Sequence, residues 1–236
     1  MNQPSSPARY IALIPAAGVG ARMGANSPKQ YLPLAGKAML CHTVDAFVAS
    51  PLIAHTYVVV SADDPVIDKV LAPHARVTVL RCGGASRMES VRNGLMQMHG
   101  SAGLDDWILV HDAARPGLNA ALIERLITRT GEHAVGSLLA LPVVDTVKRD
   151  VAGQVATIAR DGLWLAQTPQ MFRYQLLGNA LAAVTDPAAI TDDASAVEAL
   201  GLAPLLVEGH PCNLKVTRLD DVRIAEMYLS QPLTEY

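Results

Sequence analysis

The chain is poor in cysteine, in aromatic residues and in net charge. Its three cysteines, Cys41, Cys82 and Cys212, stand far apart in 236 residues and form no CxxC pair. That argues against a disulfide framework or a cysteine zinc site and leaves reduced thiols in a cytosol-like compartment as the expectation. Aromatic residues make up only 4% of the chain while half of it is hydrophobic, so the core is expected to be aliphatic. The formal net charge of -3 argues against a broadly basic nucleic-acid surface, although a local basic pocket remains possible. No apolar run approaches the roughly 18 residues of a membrane span. The opening MNQPSSPARY has no apolar h-region. A cytoplasmic protein with neither a membrane nor a nucleic-acid partner is therefore expected. No repeat, heptad or low-complexity tract is apparent, and the length suits one α/β domain with a sizeable core.

What is present is concentrated first in Ile11 to Gln30, IALIPAAGVGARMGANSPKQ. A short apolar run stopped by Pro15 and followed by Gly18, Gly20 and Gly24 reads as a buried strand feeding a loop. Glycines let backbone N–H groups approach a ligand closely, and successive N–H groups can cradle an anion. Arg22 and Lys29 in the same loop suggest a polyphosphate. Neither familiar phosphate fingerprint fits. The dinucleotide motif needs glycine where Met23 stands, and no Gly-Lys-Ser/Thr of a P-loop occurs anywhere. The alternative is a tight strand-to-helix turn with solvated charges.

Strand-like runs recur at Tyr10–Ile14, Thr56–Val60, Val77–Leu80, Trp107–Val110 and Val135–Leu141. Helical spacing lies between them at Met39–Ala49, Pro65–Leu71, Ser86–His99 and Asn119–Thr130. This alternation predicts right-handed crossovers and a mostly parallel sheet covered on both faces. Ligands of such sheets sit at the carboxyl ends of the strands. Besides the glycine loop, two further strand ends carry candidates. Val110-His111-Asp112-Ala113-Ala114-Arg115-Pro116 delivers an acid into a small-residue loop. Asp112 there can hold Mg²⁺ with phosphate oxygens, or can cap the next helix or pair with Arg115. His111 reads as structural, since no second His or Cys lies at metal spacing. Cys82-Gly83-Gly84-Ala85-Ser86-Arg87-Met88-Glu89-Ser90 is a glycine loop in which Ser86 and Glu89 fit a capping box, and Gly83 and Ser90 can also approach a base or ribose.

From Pro142 the rhythm changes. PVVDTVKRDVAGQVATIARDGLWLAQTPQMF alternates β-branched and polar residues around Ala152-Gly153, which predicts a β-hairpin bearing Lys148, Arg149 and Arg160. Such a hairpin can be an interaction arm or can cover its own sheet edge. Tyr174–Val184 reads as helical. Thr191-Asp192-Asp193 caps a helix running through Leu200 to Gly201. Pro204–Val207 and Asn213–Thr217 read as short strands and Leu219–Leu229 as a closing helix. Lys215 inside a short apolar strand either reaches an anion or snorkels to solvent.

Taken together, AAGVGARMG with PKQY, VHDAARP, DTVKR, RDGLW, QTPQMF, ITDDASAVEALG and NLKVTRLDD resemble the cytidylyltransferase family of the non-mevalonate isoprenoid pathway, in family order over about Ile11 to Ala225. The resemblance implies a Rossmann-like nucleotidyltransferase domain spanning 1–236, with a β-arm at about 142–168 that reaches into the neighbouring subunit of a homodimer. It implies transfer of CMP from CTP to 2-C-methyl-D-erythritol 4-phosphate, with Mg²⁺ held by Asp112 and the CTP phosphates. Another polyol phosphate, such as ribitol 5-phosphate, is the alternative acceptor. Arg22 and Lys29 match the transition-state-stabilising pair. Arg160, Lys215 and Thr146 match contacts to the methylerythritol phosphate. The Ala16, Ala17 and Gly18 backbone, Gly83, Ser90 and Arg115 match positions around the nucleotide, with Thr168 nearby. The chain departs from relatives at Ala21, at Ala85 and at Gly209-His210-Pro211-Cys212. The chemistry so implied is in-line attack of a phosphate oxygen on the α-phosphorus, a reaction of positioning and charge that needs no general base.

Overall fold

Successive side chains of a strand face opposite sides of its sheet, and on the first strand, Tyr10–Pro15 (β1), both sides are buried. Ile11 and Leu13 pack against Met88, Val91, Ile108 and Val110. Ala12 and Ile14 pack against Leu40, Val44, Phe47 and Ile123. That is why the run is apolar without alternation: the strand is central and covered by helices on both faces. The computed structural model describes residues 7–18, 28–186 and 189–230.

After β1 the chain forms β2 (Pro33–Leu34), β3 (Lys37–Ala38), α1 (Met39–Ala49), β4 (Ile53–Val59), α2 (Ile67–Val70), β5 (Val77–Leu80), α3 (Arg87–Gln97), β6 (Trp107–Val110), α4 (Ala120–Thr130) and β7 (Gly136–Pro142). There follow β8 (Val147–Val151), β9 (Gln154–Ile158), β10 (Trp164–Arg173), α5 (Tyr174–Ala182), α6 (Asp193–Glu198), β11 (Leu205–Glu208) and α7 (Leu219–Ser230). The main sheet runs β11-β7-β10-β6-β1-β4-β5. Within it β10 runs antiparallel to both neighbours, and the other pairings are parallel. The chain moves outward from β1 to β4 and β5, then returns to place β6 on the other side of β1. The switch point therefore lies between the carboxyl ends of β1 and β6, where a doubly wound sheet opens a crevice.

The predicted mostly parallel α/β architecture is observed, with three local corrections. The segment 142–172 is not one hairpin. Its first part pairs as β8 with β9 through a two-residue turn at Ala152 (φ 51°) and Gly153 (φ 83°), as a type I′ connection requires. Its last part, β10, is a core strand with Met171 and Phe172 fully buried, so Gln167 and Thr168 belong to the sheet and not to the arm. Asn213–Thr217 is not a strand. Pro211–Asn213 is a 3-10 turn, and the following residues are held on the loop after β6 by a single backbone bond, Val216 N–H to Ala114 O at 2.8 Å. The cap of α6 is Asp192, not Thr191: its carboxylate accepts from Ser195 N–H at 2.9 Å, and the Ser195 hydroxyl oxygen accepts from Asp192 N–H in return.

The start of β1 is fixed to β6 by Asp106. Its carboxylate accepts from Arg9 N–H at 2.8 Å, from Gly103 N–H at 2.8 Å and from the Arg9 guanidinium at 2.6 Å. Burial alone would raise this carboxyl, but the Arg9 side chain and the two backbone donors outweigh it and lower it. A carboxyl whose folded pKa lies below its unfolded value stabilises the fold above the unfolded value, and that stability is lost as pH falls through the folded one. Asp106→Asn should cost about 1–2 kcal/mol at neutral pH, toward the low end for a charged hydrogen bond because half of the Arg9 side chain is exposed. In denaturant titrations the deficit should shrink as pH drops below about 4. A deficit constant with pH would make Asp106 a packing residue.

Candidate active site

The site is built around one carboxylate. Asp112 leaves β6 at the switch point and is 7% exposed. Its Oδ1 accepts from Arg87 Nε at 2.7 Å, its Oδ2 lies 2.7 Å from Lys215 Nζ, and Arg115 Nε stands 4.0 Å from Oδ2. Arg87 continues past Asp112 to a second acid, donating from Nη2 to Asp193 Oδ2 at 2.8 Å. Burial would raise the Asp112 carboxyl, but Arg87 and Lys215 outweigh it and hold it well below the usual carboxylate range. Burial works against the Arg87 charge, and Asp193 and Asp112 together more than restore it. Burial pushes Asp193 up, with Arg87 pulling against it. The ionised state of Asp112 is thus secured by two cations, and that of Arg87 by two acids.

Each member is delivered by a specific local structure. The Asp112 N–H is tied to Thr168 Oγ1 at 3.1 Å, and that hydroxyl also meets His111 Nδ1 at 2.9 Å. His111 is fully buried, reaches the Arg115 carbonyl through Nε2 and is pushed down by burial to about 3, so it is a neutral brace. Arg115 turns inward to donate to the carbonyls of Asn213 at 2.8 Å and Ala166 at 3.3 Å. Asn213 in turn donates to Thr168 O at 2.7 Å. Gly117 lets the turn at Cys212 approach, since a Cβ there would stand 1.9 Å from the Cys212 carbonyl oxygen. These contacts set the segment from which Lys215 extends.

On the other side of Asp112 a cleft of about 440 Å³ opens between the loops after β1, β5 and β6. Ala16, Ala17, Gly18, Lys29, Ser90 and Lys215 line it with Asp112. Gly83 sits behind the lining: its N–H donates to Val60 O at 2.8 Å, and a Cβ would fall 2.2 Å from that of Ala17. Ser90 shapes the loop from within, accepting from Gly84 N–H at 3.1 Å and donating to Ser86 O at 2.9 Å. The predicted cap of α3 is present, Ser86 Oγ accepting from Glu89 N–H at 3.1 Å. Glu89 reaches one residue further back than a capping box, to Ala85 N–H at 2.8 Å.

A second cleft, of about 240 Å³, lies beyond the cluster and is lined by Arg115, Gln167, Thr168, Gln170, Thr191 and Asp192. Arg87, Asp112 and Lys215 line both clefts and form the wall between them. On the larger side this wall and Lys29 supply three cations against one acid, a positive cavity on a chain of net charge -3. Such a cavity concentrates anions.

The donors suit a metal in one way only. Among the described residues no group of three or more His, Cys, Asp or Glu could hold an ion. Asp112 is a single hard ligand beside a cavity shaped for an anion, so it fits Mg²⁺ when phosphate oxygens complete the coordination.

Of the residues singled out in the sequence, Ala16, Ala17, Gly18, Lys29, Ser90, Asp112 and Lys215 are brought together here, with Gly83 behind the larger cleft and Arg115 in the smaller one. Thr146 and Arg160 are exposed on the arm, where Arg160 Nη1 donates to Val144 O, and they line neither cleft. Arg22 lies outside the described residues. Sequence reasoning passed over Arg87, Asp193 and Gln30. A signal for Arg87 existed: a cation in the first turn of a helix opposes the helix dipole and asks for a carboxylate partner.

A profile of the 2-C-methyl-D-erythritol 4-phosphate cytidylyltransferase family matches residues 10–231. The protein of that name from Laribacter hongkongensis is 51% identical over 224 residues, which cover 94% of this chain and 96% of the relative. Its namesake from Chromobacterium violaceum is 53% identical over 224 residues, covering 93% and 97%. A crystal structure of a 4-diphosphocytidyl-2C-methyl-D-erythritol synthase superposes with a TM-score of 0.84 at 44% identity, covering 94% of this chain and 99% of the other. The profile match, the identity over nearly the whole chain and the superposition agree, and the chain belongs to the 2-C-methyl-D-erythritol 4-phosphate cytidylyltransferase family.

Proposed function

We propose that the chain transfers CMP from CTP to 2-C-methyl-D-erythritol 4-phosphate in the non-mevalonate route to isoprenoids, releasing pyrophosphate and forming 4-diphosphocytidyl-2-C-methyl-D-erythritol. The observation that carries this reading is the shared wall. Arg87, Asp112 and Lys215 stand between a larger cleft, suited to a nucleotide triphosphate, and a smaller one, suited to a second phosphate-bearing substrate. Two anions bound on either side meet at a line of cations.

The substrate's phosphate oxygen forms a bond to the α-phosphorus as the bond from that phosphorus to the β-phosphate's bridging oxygen breaks, and pyrophosphate leaves. A phosphate monoester has its second pKa near about 6, so the nucleophile is already anionic at neutral pH. His111 is not needed as a base and, buried and braced, is not available as one. Catalysis then consists of alignment and charge stabilisation. Lys29 faces the α-phosphate and the charge that develops on it, a role that the family resemblance assigns to Arg22 as well. Lys215 leaves the Asp112 carboxylate to hold the attacking phosphate, while Arg87, tied at its far end to Asp193, stays. Asp112 with the CTP phosphates would hold Mg²⁺, which neutralises phosphate charge and orients the leaving group.

Arg160 and Thr146 reach a second substrate only from another copy, and the arm is built for one. A two-stranded hairpin is marginal by itself, and this one leaves Val151 61% and Val155 66% exposed, with Leu165 59% exposed at its base. The working unit is then a homodimer whose arms exchange, in the cytoplasm.

The assay is pyrophosphate release by purified protein with Mg²⁺, CTP and either methylerythritol phosphate or ribitol 5-phosphate. Release is expected with the first alone, and release with the second alone would replace the acceptor. Lys29→Ala should lower kcat by roughly 10²–10³-fold, the scale of losing one preorganised donor. A near-normal kcat in folded protein would remove Lys29 from the mechanism. Arg160→Ala should raise KM for the methylerythritol phosphate and leave that for CTP. Mixing it with an Lys29→Ala chain should restore activity, because each mixed dimer keeps one intact site. Absence of any restoration after subunit exchange would place Arg160 in the same chain's site.

A further inference from the structure

The carbonyl groups of the loop after β1 are tied down one after another. The buried Gln30 side chain donates from Nε2 to the Ala16 carbonyl at 2.7 Å. Ser61, in the loop after β4, donates from Oγ to the Ala17 carbonyl at 3.2 Å. Among the described residues the cis peptide bond is Thr168–Pro169, so the Ala16–Ala17 and Ala17–Gly18 peptides are trans. In a trans peptide the C=O and the following N–H point in opposite directions. Each tie therefore also sets an N–H, that of Ala17 facing away from Gln30 and that of Gly18 facing away from Ser61.

Left untied, these small residues allow the peptides to rotate, Gly18 most freely. A rotated peptide would release its carbonyl from Gln30 or Ser61 and move the N–H that follows, and a carbonyl oxygen turned to a phosphate repels it. The ties are themselves firmly placed. Gln30 stands in the 3-10 turn Lys29–Tyr31, and the Tyr31 hydroxyl donates to Asp64 Oδ2 at 2.6 Å. The other Asp64 oxygen accepts from Val66 and Ile67 N–H at 2.9 and 3.0 Å.

We infer that Gln30 and Ser61 are positioning residues for nucleotide binding: they act through the Ala16–Gly18 backbone, holding its carbonyls back so that the Ala17 and Gly18 N–H groups donate to the bound nucleotide. The inference rests on the assignment of the larger cleft to CTP. Gln30 thereby couples the loop to Lys29, its neighbour in the turn, so that one short element sets both the backbone donors and a catalytic cation.

The test uses the full-length protein and three variants. Gln30→Met keeps the length and removes the donor, Ser61→Ala removes the hydroxyl, and Ser61→Thr keeps it. CTP binding is measured by calorimetry and turnover by pyrophosphate release. Kd and KM for CTP should rise about tenfold in Gln30→Met and about threefold in Ser61→Ala, the range expected for one net hydrogen bond. Ser61→Thr should stay close to wild type, and KM for the methylerythritol phosphate should be unchanged in all three. A merely structural role would lower the melting temperature and leave CTP affinity alone. Unchanged CTP affinity in folded Gln30→Met, or an equal rise in both KM values, would overturn the inference. If Gln30→Met fails to fold, the Ser61→Ala and Ser61→Thr pair decides: indistinguishable CTP affinities would overturn it. Wild-type protein that binds CTP without releasing pyrophosphate would refute the reaction proposed above, and the Kd comparison would still decide this point.

Discussion

The structure depends on keeping one aspartate ionised where water is scarce. A carboxylate taken out of water needs opposite charge in good geometry to stay charged. Asp112 has Arg87 on one oxygen and Lys215 on the other. The two partners are not equivalent. Arg87 is anchored at its far end by Asp193, whose side chain is 1% exposed, whereas the Lys215 side chain is 41% exposed. One cation is a fixture and the other can be exchanged. A buried pair of this kind is weak evidence of stabilisation. Its use is to hold a charge at a chosen point between two cavities.

The fold supplies that point. β1 and β6 lie side by side and parallel, and the chain turns back between them, so their carboxyl ends open the crevice. The crevice is lined with small residues because three loops crowd it. Gly83 admits Ala17, and Gly117 admits the turn at Cys212 that carries the chain toward Lys215. Tertiary contact, and not local turn geometry, explains these two glycines, so either one replaced by a larger residue would move a loop that shapes the site.

Much of this was legible in the sequence because the signals were periodic. β1 and β6 at the centre of the sheet are apolar runs, the helices show one apolar stripe, and Ser86 and Asn119 cap their helices as their residue types suggest. The misreadings share a cause. β10 follows the arm in sequence without a break, is exposed up to Ala166, and becomes a core strand where β6 and β7 close on it from both sides. Asn213–Thr217 has strand composition, yet it joins no strand of the sheet and its Val216 N–H bonds to the Ala114 carbonyl instead. Asp112, Lys29 and Lys215 could be picked out because each is a charged residue in a small or apolar setting. Arg87 and Asp193 could not be paired from sequence, since 106 positions separate them and only the folded chain brings them to 2.8 Å. Gln30 was invisible for another reason: its amide binds backbone, and a backbone carbonyl leaves no mark in the sequence.

The local charges also indicate what kind of catalyst this arrangement can be. A general base would need an accessible group that titrates near neutrality. His111 is buried, pushed down to about 3 and bonded through both nitrogens. Asp112 is held far below neutrality by its cations. Neither is set up as a general base at neutral pH, an arrangement that suits a nucleophile already deprotonated. A phosphate monoester meets that condition, since its second pKa is near about 6. A sugar hydroxyl does not. Charge placement in the cluster therefore suits an acceptor that is an anion. The same placement meets the electrostatic cost of bringing that anion to a triphosphate, because Arg87 and Lys215 stand between the two clefts before either substrate arrives.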